Sequence, residues 1–289
     1  MSRRLFALLC AVAGTVAVLG AALAPANDKL GLVTVFADSG KPAAGLSRVD
    51  FTVTEGKDVV EVVDAVPAKD PLSVVLLADR ALAPDGSAVT SELRKALTTF
   101  VGAVLAAEPN AQIALYQVSN AAVPVKDFTS SRADLEAGIT VIASGMPSGS
   151  AMLEGVLTAA KKLSERPAPR RAIVAVGMGT EEGTSVQPKA VTDAVRQSGA
   201  TLWVVSLQGV AESQLTNRDA VWTKATEDTG GLRQNVVQAS QLESHLQAVA
   251  NSLLSQYYLK MVRKGDGAVK GFKGQTSQRS QVLFTRWMR

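Results

Sequence analysis

Apolar positions change their period along this chain. Between residues 32 and 66 they alternate with polar ones, in Leu32-Val33-Thr34-Val35-Phe36, in Asp50-Phe51-Thr52-Val53-Thr54 and through Val59 to Val66, around a turn-rich Asp38-Ser39-Gly40-Lys41-Pro42. Period-two alternation predicts a short antiparallel β segment. Roughly 40 residues is too little for an independent sandwich, so this segment is expected to recruit strands from elsewhere.

Pro67 and Pro71 punctuate a boundary, after which continuous apolar runs are separated by stretches of helical period. Leu72 to Ala78, Ile113 to Val118, Ala172 to Val176 and Thr201 to Val205 read as strands buried on both faces, as parallel strands are. Ala121 to Phe128 follows its predecessor closely enough to form a hairpin with it. The stripe Val89, Leu93, Ala96, Leu97, Phe100, Val101 and Val104 predicts a long helix, and Met152, Val156, Ala159 and Leu163 predict another between about Ser150 and Glu165. Ser131-Arg132-Ala133-Asp134 and Ser240-Gln241-Leu242-Glu243 read as capping-box helix starts. Strands alternating with helices give an α/β fold with an open, mostly parallel, doubly wound sheet. Tyr257 to Val262 and Ser280 to Arg286 read as strands across a Gly-rich turn, and are expected to pair with the N-terminal strands in a small β appendage. The expected divisions are a leader over 1–26, an N-terminal β segment over 27–68, the α/β domain over 69–256 and a basic β segment over 257–289.

The leader has its own pattern. Arg3 and Arg4 precede an unbroken apolar and small-residue run from Leu5 to Ala24, and Ala22-Leu23-Ala24-Pro25-Ala26 comes before the first charges at Asp28 and Lys29. This predicts a secretory signal and an exported protein, periplasmic or secreted; the other reading of the run is a retained membrane anchor. Ser2-Arg3-Arg4-Leu5-Phe6 also resembles a twin-arginine signal. Cys10 is the only cysteine of the 289 residues. Cleavage leaves a chain without disulfides, thiolate nucleophiles or cysteine-held metal. Net charge is +4, and from residue 260 onward eight basic side chains face only Asp266. That basic segment reads either as attraction to an anionic surface or as solvated charge on exposed strands.

Four phrases occur in an order that resembles exported bacterial proteins with a von Willebrand factor type A (VWA) domain. They are Gly45-Leu46-Ser47-Arg48-Val49-Asp50-Phe51-Thr52-Val53, Pro71-Leu72-Ser73-Val74-Val75-Leu76-Leu77-Ala78-Asp79, Asp228-Thr229-Gly230-Gly231 and Leu253-Leu254-Ser255-Gln256-Tyr257-Tyr258-Leu259. The resemblance implies a Rossmann-like sheet with a metal-ion-dependent adhesion site at the strand carboxyl ends, where such sheets bind ligands. In that family the site has Asp-x-Ser-x-Ser, a Thr from a later loop and an Asp after the fourth strand, all suited to Mg²⁺, and a partner's carboxylate completes the metal's shell. Here Asp79 holds the first position, Ala81 and Ala83 replace the serines, Ser150 can stand for the Thr, and Met178 takes the place of the last Asp. Metal binding is therefore not expected; were a metal bound, Asp79 and Ser150 would hold it. Arg80 either folds over Asp79 in the metal's stead or points to solvent. Ser150 otherwise reads as a helix N-cap, and Glu181 and Glu182 as a solvated loop or an altered cation route.

The sole histidine, His245, flanks the helical stripe Leu242-Leu246-Val249, so no Ser-His-Asp arrangement can be assembled and no enzyme activity is expected. A phosphate loop and a Gly-x-Gly-x-x-Gly helix start are both missing from the sequence, and aromatic residues make up 4% of it, which argues against nucleotide cofactors and nucleic acid. The expected function is a non-catalytic, metal-independent protein-binding module using the loops around Asp79, Arg80, Ser150, Glu181 and Glu182. The alternatives are an envelope-associated structural protein held by its basic tail or uncleaved signal, and metal-dependent adhesion.

Overall fold

The computed structural model describes residues 28–37, 39–80, 86–142, 149–178, 182–208, 216–263, 271–276 and 281–284. The leader, Ala81, Ala83, Glu181 and the basic residues Lys264, Lys270, Arg279, Arg286 and Arg289 lie outside the described residues. Among those described, no helix is long and apolar enough to cross a membrane.

The alternating N-terminal segment forms β1 (Asp28–Phe36), β2 (Phe51–Glu55) and β3 (Asp58–Pro67). Gly56, at φ 63°, opens the two-residue turn that pairs Glu55 with Asp58. A left-handed first turn residue suits the strand twist and is natural for glycine. From the far end of the chain come β10 (Tyr257–Val262), β11 (Phe272–Thr276) and β12 (Gln281–Phe284). Together they make an antiparallel sheet in the order β11-β2-β3-β10-β1-β12, so the two ends of the chain do pair. The sheet encloses its own core of Val33, Val35, Phe51, Val53, Leu259, Met261 and Phe272. β11 lies where the sequence suggested only a Gly-rich turn.

The second sheet contains β4 (Leu72–Asp79), β5 (Gln112–Val118), β6 (Ala122–Thr129), β7 (Arg170–Gly177), β8 (Thr201–Leu207) and β9 (Arg233–Val236). Its order is β6-β5-β4-β7-β8-β9, all parallel except the edge hairpin partner β6. All eight residues of β4 and of β7 are buried, because helices cover both faces. Val74, Leu76 and Ala78 face α1 (Gly86–Ala107), α2 (Arg132–Thr140) and α6 (Leu242–Leu254). Val75 and Leu77 face α3 (Met152–Ser164), α4 (Pro188–Ser198) and α5 (Thr216–Thr229). Ser131 caps α2 through Asp134 N–H, as its sequence predicts. The expected Ser240 cap on α6 is not what forms. A 3-10 turn, Ala239–Gln241, precedes the helix, and Gln241 Oε1 accepts from the amides of Val237 and Gln238.

Two crossings join the sheets side by side, where Ala68 N–H donates to Gln256 O at 2.8 Å. Beside them Arg170 is fully buried, its guanidinium donating to Glu108 Oε1 at 2.6 Å, Leu253 O at 2.5 Å and Asp70 O at 3.2 Å. Of the basic C-terminal residues, Arg263 is nine-tenths buried and forms a two-pronged pair with Glu55 at 2.7 and 2.9 Å. That charge is spent inside the β sheet and not presented on a surface.

Candidate functional site

β4 lies between β5 and β7, so the chain leaves it first to one side and then to the other. The strand carboxyl ends at such a reversal form a crevice that helices cannot fill. Asp79 ends β4 there, fully buried, and its Oδ2 accepts from the backbone N–H of Met178 at 3.2 Å. The register Ala78 to Val176 sets this contact, because it carries Met178 past the end of β7 to the level of the carboxylate. Met178 thus contributes its amide while its side chain stays in the core. Arg80 prolongs the pairing with β5 through its N–H to Val118 O at 2.8 Å. Its half-buried guanidinium reaches Gln117 Oε1 at 3.4 Å, a long contact. The side chain therefore turns across to β5, neither closing over Asp79 nor standing free in solvent.

Ser150 and Glu182 meet in a parallel β bridge, with Gly183 N–H on Ser150 O at 2.9 Å. Ser150 is fully buried, and its hydroxyl has no hydrogen-bond partner among the described residues. The N-cap of α3 is Ala151, so Ser150 stands one residue outside that position. Glu182 is not a solvated loop residue. Its side chain is 8% exposed, and the carboxylate accepts from Arg218 Nε at 2.9 Å, from Thr184 Oγ1 at 2.7 Å and from Leu153 N–H at 3.3 Å. The Leu153 amide belongs to the first turn of α3, whose dipole favours a carboxylate there. Arg218, 3% exposed at the start of α5, also donates to Ser150 O at 3.4 Å.

One ion pair thus joins the loop after β7 to the starts of α3 and α5. Sequence reasoning passed over Arg218, because nothing within Thr216-Asn217-Arg218-Asp219 marks it and its partner is 36 residues away. The usable signal was that an Arg in the first turn of a helix, where its charge is unfavourable, calls for a nearby carboxylate.

Among the described residues no three His, Cys, Asp or Glu side chains gather in a metal-holding group. His245 Nδ1 lies 3.2 Å from Gln234 Oε1, on the flank of α6 and away from these loops. The crevice therefore offers a buried carboxylate held by an amide, an unpartnered hydroxyl and a neutralised ion pair. Among the described residues no nucleophile and base come together in it.

No family model matches the sequence, and no curated protein matches it. Solved structures do match in shape. The vWF domain of the type V pili tip protein Mfa5 from Porphyromonas gingivalis superposes with a TM-score of 0.52 at 10% identity, covering 70% of this chain and 99% of that one. The PilB minor pilin from Streptococcus sanguinis gives 0.50 at 11% identity, with 65% and 62% covered. Proximal thread matrix protein 1 from the mussel byssus, in a structure with a zinc-occupied MIDAS motif, gives 0.51 at 14% identity, with 70% and 50% covered. At this identity the likeness concerns the fold alone. The parallel sheet with its covering helices has the von Willebrand factor type A fold.

Proposed function

We propose that this chain is an exported, non-catalytic protein-binding module of VWA type, working without a bound metal. The observation that carries the reading is the Arg218–Glu182 pair. Where the family's resemblance implies a divalent ion gathering oxygen ligands, this crevice already matches a carboxylate with a protein cation, both more than nine-tenths buried. The donor set that remains does not fit Mg²⁺. Asp79 and the Ser150 hydroxyl are its only retained members, and Mg²⁺ requires near-octahedral oxygen geometry. Met178, in the place of the last carboxylate, offers an N–H, which a cation repels.

The likeness in fold to a pilus tip protein and a minor pilin supports action outside the cell in a protein assembly. The apolar leader supports export by the same logic. The partner face is the set of loops around Asp79, Arg80, Ser150, Glu181 and Glu182, and among its described residues Arg80 is a half-exposed group able to reach a partner. The test has two arms. Calorimetric titration with Mg²⁺, Mn²⁺ and Ca²⁺ is expected to give no saturable heat, and envelope protein retained by the immobilised chain is expected to be the same in EDTA and in Mg²⁺ but lost from Arg80→Ala. Saturable Mg²⁺ binding abolished by Asp79→Ala overturns the metal-free reading. Retention unchanged by Arg80→Ala overturns the assignment of the face.

A further inference from the structure

Asp70-Pro71 is the only Asp-Pro pair in the 289 residues, and it lies in the first of the two crossings between the sheets, after β3 and just before β4. Among peptide bonds, Asp-Pro is the one most readily cleaved in mild acid. The aspartyl carboxyl can close a five-membered ring on its own carbonyl carbon. Proline's nitrogen belongs to a tertiary amide, is more basic than a secondary one and leaves readily once protonated. The surroundings of this pair add to that intrinsic chemistry.

A cation already holds the carbonyl of the bond. Arg170 Nη1 donates at 3.2 Å to Asp70 O, which is the oxygen of the Asp70–Pro71 peptide group. The guanidinium is fully buried and fixed by Glu108 Oε1 at 2.6 Å and Leu253 O at 2.5 Å, so its direction toward that oxygen is set before any reaction. A preorganised donor aimed at an oxygen that gains negative charge lowers the barrier to acyl transfer. Water has access as well, because a hollow of about 190 Å³ borders Asp70, Pro71 and Glu108, with room for several waters. Asp70 is itself exposed, so its carboxyl exchanges protons with solvent. The charged and titratable groups facing it are Arg170 from β7, Glu108 after α1, Tyr258 from β10 and Lys69 beside it. Burial first and the Asp70 carboxylate next push the Tyr258 hydroxyl up to about 12, so in acid it is a neutral neighbour.

We infer that Asp70-Pro71 is a self-cleavage site, with the Asp70 carboxyl as nucleophile and Arg170 as the donor to the developing oxyanion. A carboxyl oxygen of Asp70 bonds to its own carbonyl carbon, and the carboxyl proton passes to the Pro71 nitrogen. The carbon–nitrogen bond then breaks, leaving a cyclic anhydride on Asp70 and a free Pro71 amine. One water from the hollow opens the anhydride to two carboxyls, so the net reaction is hydrolysis of one peptide bond. The cut removes one of two covalent crossings between the sheets. β3 remains paired with β10 from Pro67 to Glu61, and β1 with β10 and β12, so β1 to β3 stay seated after it. This site is independent of the crevice and holds whether or not the loops around Arg80 bind a partner.

The test incubates the purified full chain at about pH 4.5, where ordinary aspartates are partly protonated and circular dichroism checks that the fold is intact. Intact-mass spectrometry follows the products. The expected result is a fragment beginning at Pro71, formed with first-order kinetics at a rate independent of protein concentration. A single oxyanion donor is worth about 10²–10³ in rate, so cleavage is expected to be at least about tenfold faster in the folded chain than in guanidinium-unfolded chain at the same pH. Arg170→Met is expected to bring the rate down to that of the unfolded chain. Because that variant also loses stability, Asp70→Ala supplies a second test at an exposed position that keeps the carbonyl, and it is expected to abolish the cut. No fragment starting at Pro71, a folded rate no higher than the unfolded one, an unchanged rate in Arg170→Met, or cleavage persisting in Asp70→Ala overturns the inference.

Discussion

Arg218→Met tests the central feature of the crevice. The substitution keeps much of the side chain's volume but removes the only charge matched to Glu182 in the described contacts, inside a site where the two side chains are 3% and 8% exposed. Breaking a buried pair from one side costs about 3–5 kcal/mol, since the remaining charge is left desolvated. Glu182 would keep the Thr184 hydroxyl and the Leu153 amide, which places the expected loss near the lower limit, about 3 kcal/mol. For a chain of this size that corresponds to a fall in Tm of about 6–12 °C. Glu182→Gln alone would strand the guanidinium and cost a similar amount. The double variant, neutral on both sides, is expected to recover at least about 1 kcal/mol relative to the sum of the singles. Thermal and urea unfolding followed by circular dichroism supply all four corners of the cycle. A single-variant loss below about 0.5 kcal/mol, or strict additivity in the double variant, would refute the claim that this pair holds the three loop starts together.

Three further outcomes follow from other parts of the structure. Gly231→Ala places a methyl 1.7 Å from Leu202 O, so β8 and β9 cannot stay in register; urea unfolding is expected to show a loss above about 4 kcal/mol, if the variant is soluble at all. Arg170→Met removes the donor to Glu108, Leu253 and Asp70 at the junction of the two sheets, and is expected to lower stability by about 3 kcal/mol in guanidinium titrations. Burial, with the Asp70 carboxylate next in weight, pushes the Tyr258 hydroxyl up to about 12. Its folded value is above its unfolded one, so its contribution is complete below about pH 10 and is lost as pH rises toward 12. Ultraviolet titration of native chain against Tyr258→Phe should show one late-titrating tyrosine disappear.

The fold was largely legible because buried strands and amphipathic helices leave periodic marks. β4, β7 and β8 are continuous apolar runs, and their burial on both faces follows directly. β11 escaped because Phe272 is its one apolar side chain, and Gly274 and Thr276, half-buried on the same face, leave Lys273 to Thr276 to read as a turn. Its strand character comes from pairing with β2, more than 200 residues earlier, and no local pattern records that. Of the candidate site, the sequence shows which residue types stand at the resemblance's ligand positions, Ala81, Ala83 and Met178 among them, and not the contacts made there. That Met178 would give its amide to Asp79 depended on strand register, and that Glu182 would be buried depended on Arg218 arriving from another helix.

The buried Arg218–Glu182 pair also bears on what the module can recognise, under the metal-free reading proposed above. A divalent ion in an open shell offers a coordination position to a partner's carboxylate, so an acidic residue becomes the determinant of binding. Arg218 offers no such position, because at 3% exposure its guanidinium is turned inward to Glu182 and Ser150. The charge that would attract an acidic side chain is neutralised before a partner arrives. Recognition at this face must then rest on shape and on hydrogen bonds from groups that reach the surface, with Arg80 foremost among those described. Acidic peptides added in excess should therefore compete poorly for a partner retained by the chain, in Mg²⁺ or in EDTA. Efficient competition confined to Mg²⁺ would show that a coordination position exists after all, and the ion-pair account of this crevice would fail.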